Sequence, residues 1–164
     1  MSNSNFIIAV DQASNVSGYA IYEDGNLVKH GKVKFEGSST ERINQVKVWL
    51  GGMVTELKQE SDEVEVVLED IQLQKDVVTF KTLAWLQGVL LDMLHEKGIK
   101  TELVFSTEWK STCGVKGRGR TEQKQNAQKY VQDEFGIRAT QDECDAICLG
   151  YHTVKKMNSV INWD

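Results

Sequence analysis

Two short apolar stretches that each run into an acid constrain this chain more than any other feature. Residues 6–10 are uninterrupted apolar and lead to Asp11; residues 64–68, broken only by Glu65, lead to Glu69. Runs of this length between polar flanks read as buried strands, and such strands belong to a sheet covered by helices. An acid directly after a buried strand is held close to the core, where an unpaired charge is costly. One such acid is commonly a cap or a salt-bridge partner. Two of them, at the same end of neighbouring strands, fall where open α/β sheets gather their sites.

The remaining pattern fills in the sheet and its covering. Residues 17–22 and 27–35 read as strands joined through Asp24-Gly25, a strong hairpin turn. With the first strand they form an antiparallel meander. Ser38, Ser39 or Thr40 caps a helix running to about Gln59, with Ile43, Val46, Leu50, Met53, Val54 and Leu57 at helical spacing. A second helix is expected over 77–97. On a wheel its apolar residues, Trp85, Leu86, Val89, Leu90 and Met93 among them, cover roughly 260°, well beyond the one-sided stripe of a surface helix. A partner subunit is the natural second cover, and Gln87 lies inside the apolar arc with no obvious partner. Residues 101–105 give a fifth strand, and 106–120 read as a loop with Gly114, Gly117 and Gly119. A helix from Thr121 to near Gly136 and another from Gln141 or Asp142 to about Met157 complete the order βββαβαβαα. The expected fold class is α/β, with a mixed five-stranded sheet of three antiparallel strands and parallel additions, flanked by helices.

The length, 164 residues, fits one domain over 1–164. A chain of this size buries about 70% of its unfolded surface and needs no disulfide or structural metal. Its three cysteines, Cys113, Cys144 and Cys148, contain no Cys-x-x-Cys pair, and they read as small reduced core residues of a cytoplasmic protein. No secretory signal is visible and the uninterrupted apolar runs are far shorter than the roughly 18 residues that span a bilayer, so no membrane partner is expected. The net charge of −5 argues mildly against nucleic acid. The distribution argues the other way: Lys110, Lys116, Arg118, Arg120, Lys124 and Lys129 face only Glu122 within their stretch.

Asp142 and Asp145 stand three apart at the start of the last helix, on one face, where the helix dipole favours carboxylates. Alone, that pair is ordinary first-turn complementation. Joined with Asp11 and Glu69 it makes an all-oxygen set suited to Mg²⁺ or Mn²⁺, since converging carboxylates repel unless cations hold them. Asp62, Glu63, Glu65, Asp70 and Glu143 are set aside: Asp70 would point away from Glu69 in a continuing strand, and Glu143 leaves the face of its neighbours. The glycine-rich basic stretch 114–120 matches no nucleotide-binding pattern and suits either phosphate contact or a solvated loop. Trp109 beside it either faces nucleic acid or anchors the loop. His30, His95 and His152 are scattered and read as structural or surface residues.

Four stretches together resemble the RuvC-type Holliday junction resolvases of the RNase H-like superfamily. Residues 7–21, IIAVDQASNVSGYAI, are similar to the family's opening strand, Asp and Gly-x-Ala strand. Residues 66–72, VVLEDIQ, resemble the strand with the catalytic Glu; 86–90, LQGVL, the helix that helps form the dimer; and 141–150, QDECDAICLG, the terminal Asp-x-x-Asp-Ala signature. The resemblance implies an RNase H-like fold, a homodimer, and a DNA recombination and repair nuclease that nicks four-way junctions. It gives Asp11, Glu69, Asp142 and Asp145 the metal-binding catalytic roles, with two Mg²⁺ ions per site and Mn²⁺ as a substitute. Lys110, in a catalytic role, and Lys124 fall where the family places basic residues near the scissile phosphate, and Lys116, Arg118 and Arg120 of the basic stretch are expected beside them on the DNA path. Bacterial members carry an aromatic residue shortly after the catalytic Glu; residues 70–73 here read DIQL. In this the chain resembles the short phage branch, whose members cut other branched DNAs as well, and a bacterial host cytoplasm is the expected location. A nuclease acting on RNA or a hybrid, and a non-catalytic junction-binding protein, stand as alternatives.

Overall fold

The computed structural model describes residues 4–72 and 76–161, with the side chains of residues 160 and 161 left aside. Leu73, part of the departure from the bacterial pattern, lies outside the described residues. The elements are β1 (Asn5–Asp11), β2 (Val16–Glu23), β3 (Asn26–Lys34), α1 (Ser39–Glu60), β4 (Glu63–Glu69), α2 (Val77–Glu96), β5 (Lys100–Val104), α3 (Ser106–Thr112), α4 (Arg120–Phe135) and α5 (Gln141–Ile161). They build one sheet in the order β3-β2-β1-β4-β5. β1 to β3 pair antiparallel, and β4 and β5 add in parallel, as the pattern of runs implied.

Local chemistry explains the turns. Asp24 and Gly25 both take positive φ, 50° and 84°, which the tight β2–β3 hairpin demands. Ser38 caps α1: its hydroxyl accepts from the Glu41 amide, and the Glu41 carboxylate accepts from the Ser38 amide at 3.0 Å.

Alternation along the central strands sorts the core into two layers. Phe6, Ile8 and Val10 of β1 pack with Val66 and Leu68 against α1 and α2, through Val46, Leu50, Leu86 and Leu90. Ile7 and Ala9 turn to the other face, with Ala20, Tyr22 and Val67, and meet Trp109, Val131, Ala146 and Ile147 of α3, α4 and α5. The odd-numbered acids Asp11 and Glu69 continue this second face.

The stretch 106–120 is not a loop throughout. Its first part is the helix α3, which the three later glycines masked in the sequence. Glu108 accepts from the Phe105 amide at 2.8 Å to start it, and Trp109, 2% exposed, pins it to the core. The last helix also runs past Met157 to Ile161. By length and hydropathy α2 could cross a bilayer, a property that short uninterrupted runs did not reveal. Its Leu86, Leu90, Met93 and Leu94 are packed in the core, whereas Val77, Val78 and Trp85 are exposed at 69%, 73% and 47%.

Candidate active site

Two strands and one helix deliver the four acids. β1 and β4 run parallel with Val10 beside Leu68, so the next residues, Asp11 and Glu69, emerge side by side at the carboxyl ends of the central strands. α5 supplies Asp142 and Asp145 from its first turns because it lies very close to the sheet. Gly18, the β2 partner of Asp11, makes that approach possible. A Cβ at position 18 would stand 2.0 Å from the Asp142 carbonyl oxygen. Farther along, Gly150 leaves room for the Tyr22 ring, whose hydroxyl donates to the Ile147 carbonyl at 2.6 Å. Small residues at these two crossings therefore set the height of Asp142 and Asp145 above Asp11.

All four carboxylates line one open cleft of about 760 Å³. Burial, then the charge of Glu69, then that of Asp145, push the Asp11 carboxyl well above the usual carboxylate range, and it shares a hydrogen bond with Glu69. Burial and the Glu69 charge likewise raise Asp145 to about 6, against the pull of Lys124 and Lys110. As the side chains stand, no group of three or more acidic, histidine or cysteine residues among the described residues is gathered closely enough to hold a metal ion. The four acids interact through their charges and the one hydrogen bond.

The basic wall comes from α3 and α4. Lys110, Arg120 and Lys124 line the cleft, whereas Lys116 and Arg118 are exposed to solvent outside its lining. Gln123 fastens the wall: its side-chain oxygen accepts from Lys110 Nζ at 3.0 Å, and its Nε2 donates to the Gly117 carbonyl at 3.2 Å.

Several residues near the site had no sequence signal of their role. Trp109 neither reaches into solvent nor serves only as an anchor. Its indole Nε1 donates to Glu69 Oε1 at 2.8 Å, fixing the carboxylate from behind. Gln87, the unpartnered amide of the α2 arc, donates to Asp70 Oδ1 at 3.1 Å, which ties the chain after Glu69 to the core. Asp70 thus has a structural task. So does Glu143, which accepts from the Thr140 amide at 2.9 Å and pairs with His30 at 2.9 Å. Gln12, Ser39, Arg42, Thr79 and Thr82 also line the cleft. A Thr-x-x-Glu capping box at 140–143 was present in the sequence and marks the start of α5.

No protein-family model and no curated protein matches this sequence. Solved structures do match. Thermus thermophilus RuvC in complex with Holliday junction substrate superposes with a TM-score of 0.72 at 12% identity, over 94% of this chain and 96% of that one. A second Thermus thermophilus RuvC structure gives 0.70 at 13% identity over the same shares. The yeast mitochondrial Holliday junction resolvase Ydc2 gives 0.62 at 7% identity, over 99% of this chain and 83% of that one. The chain therefore has the RNase H-like fold of the RuvC-type resolvases, as the four sequence stretches implied.

Proposed function

We propose that this protein is a structure-selective endodeoxyribonuclease that resolves four-way DNA junctions by metal-dependent phosphodiester hydrolysis. The observation that carries the proposal is the meeting of Asp11, Glu69, Asp142 and Asp145 in one cleft, with Lys110, Arg120 and Lys124 along its wall. The likeness to RuvC in complex with Holliday junction substrate supports the choice of branched DNA.

The chemistry of the donor set suits Mg²⁺ or Mn²⁺, and the four side chains would have to draw closer than they stand to hold them. The set is all carboxylate, and the charges of its neighbours raise the proton affinity of Asp11 and of Asp145, the condition that a hard divalent cation relieves. Asp11, Glu69, Asp142 and Asp145 would hold the ions. Bound there, two divalent cations would supply water activation and neutralise charge on the departing oxygen.

The protein's own residues supply position and charge. Trp109 holds Glu69 in one orientation. Lys110, steadied by Gln123, faces the carboxylates and is placed to hold the phosphate at the cut; Lys124 and Arg120 extend the positive wall along the strand. The exposed Val78 and Trp85 on α2 suit a two-fold homodimer, which would set two such sites against a two-fold junction. Asp11→Asn tests the assignment: gel-shift binding of a four-way junction should persist while cleavage falls below detection. Cleavage by Asp11→Asn at the wild-type rate would remove Asp11 from the mechanism.

A further inference from the structure

Among the described residues, three buried side-chain polar atoms have no hydrogen-bond partner: Nε2 and Oε1 of Gln12, and Nε of Arg42. Both residues are among those that line the cleft. Gln12 follows Asp11 directly and is only 5% exposed. Arg42 projects from the first turns of α1, where its other nitrogens donate to neutral acceptors, the Gly37 carbonyl at 2.5 Å and the Ser39 hydroxyl at 3.4 Å. No ion pair involves Arg42 among the described residues. Among the described residues no carboxylate thus neutralises its charge.

Leaving a buried amide with neither its donor nor its acceptor matched weakens the fold, and an apolar side chain of the same size would serve packing better. Polar groups kept at such a cost are characteristic of sites that complete themselves with a ligand. The missing partners identify its chemistry. Arg42 calls for an anion such as a backbone phosphate. Gln12 calls for a donor and an acceptor side by side. A phosphate would satisfy only its Nε2, whereas the edge of a base satisfies both, as glutamine does with adenine N6 and N7. Ser39, Thr79 and Thr82 line the same cleft.

We propose that Gln12 and Arg42 form a nucleotide subsite flanking the cut, with Arg42 on the backbone phosphate and Gln12 on the edge of the adjoining base. This subsite rests on the nuclease reading above and gives the cleavage a base preference beside the cut. The base must be free of its partner or opened at the branch, and the Gln12 amide, closed to solvent in this conformation, must turn toward the cleft for the two to meet, which ties the preference to branched DNA.

Gln12→Leu and Arg42→Met test it, with three readouts: cleavage of four-way junctions carrying each base at the positions flanking the cut, fluorescence anisotropy of a labelled junction in EDTA across a salt series, and thermal unfolding. Wild type should prefer one base. Gln12→Leu should cut that junction roughly 10-fold more slowly, with the preference flattened, and should melt at or above the wild-type temperature. Arg42→Met should lower the salt slope of log Kd by about one. A wild type indifferent to base, a Gln12→Leu variant with the wild-type pattern, or one whose activity falls only together with its melting temperature would each overturn the subsite. If wild type cuts no junction, the nuclease reading fails, and an unchanged Arg42→Met salt slope with unchanged Gln12→Leu affinity would then reject the subsite separately.

Discussion

Asp145→Asn should make the metal-free protein more stable while disabling it. Burial and then the Glu69 charge lift the Asp145 carboxyl from its ordinary 3.8 to about 6, with Lys124 and Lys110 opposing and Asp142 adding to the rise. A difference of this size corresponds to about 3 kcal/mol in favour of the neutral form, and solvent screening at the open side of the cleft reduces it to about 2 kcal/mol. The sign follows from proton linkage. Between 3.8 and about 6 the folded protein holds more protons than the unfolded chain, so its stability falls as pH rises through that window and stays lowered above it. Asparagine carries no charge and escapes this loss. At pH near 7.5 the variant should melt about 4–8 °C higher than wild type. Near pH 4 the gain should shrink toward zero, because the aspartate is then largely protonated when folded. Mg²⁺ should raise the wild type more than the variant. Differential scanning calorimetry across this range with EDTA, then with Mg²⁺, reads all three effects. A variant that melts below wild type at pH 7.5, or gains equally at both pH values, would refute the electrostatic account of the cleft.

Trp109→Phe keeps a ring in the core but removes the donor to Glu69. It should lower kcat roughly 10-fold with junction Kd nearly unchanged, measured by single-turnover cleavage beside anisotropy; an equal loss in binding would contradict a role confined to Glu69. Trp85→Lys places charge on the exposed apolar face of α2. Sedimentation velocity should shift from dimer toward monomer with the circular dichroism spectrum retained, and an unchanged sedimentation coefficient would exclude this face as the dimer contact.

How much of this was legible follows from what each signal depends on. The central strands could be read because a buried strand shows as an apolar run with a sharp end, and Asp11 and Glu69 occupy those ends, while Asp142 and Asp145 were visible from their spacing at the start of a helix. The helix α3 was hidden because seven residues hold too few apolar positions to show a period, and the glycines that follow resemble a loop. Its anchor, Trp109, gained a role only when the fold set its indole beside Glu69, forty residues earlier in the chain. The Gln87–Asp70 bond is of the same kind: each residue looked unattached until α2 packed beside β4. Gln12 and Arg42 gave no signal at all, since an unpaired buried amide is defined by its surroundings. The closeness of α5 to the sheet was written in Gly18, but the meaning of that glycine depends on the backbone of Asp142, which only the tertiary fold brings near.

The most direct test of the central claim is cleavage of an end-labelled mobile four-way junction, run beside a matched Y-fork and a linear duplex, in Mg²⁺, in Mn²⁺ and in EDTA. Paired symmetric nicks in the junction with either metal, none in EDTA and an intact duplex are the expected result. Binding of the junction without cutting in any metal would contradict the claim and leave a junction-binding protein.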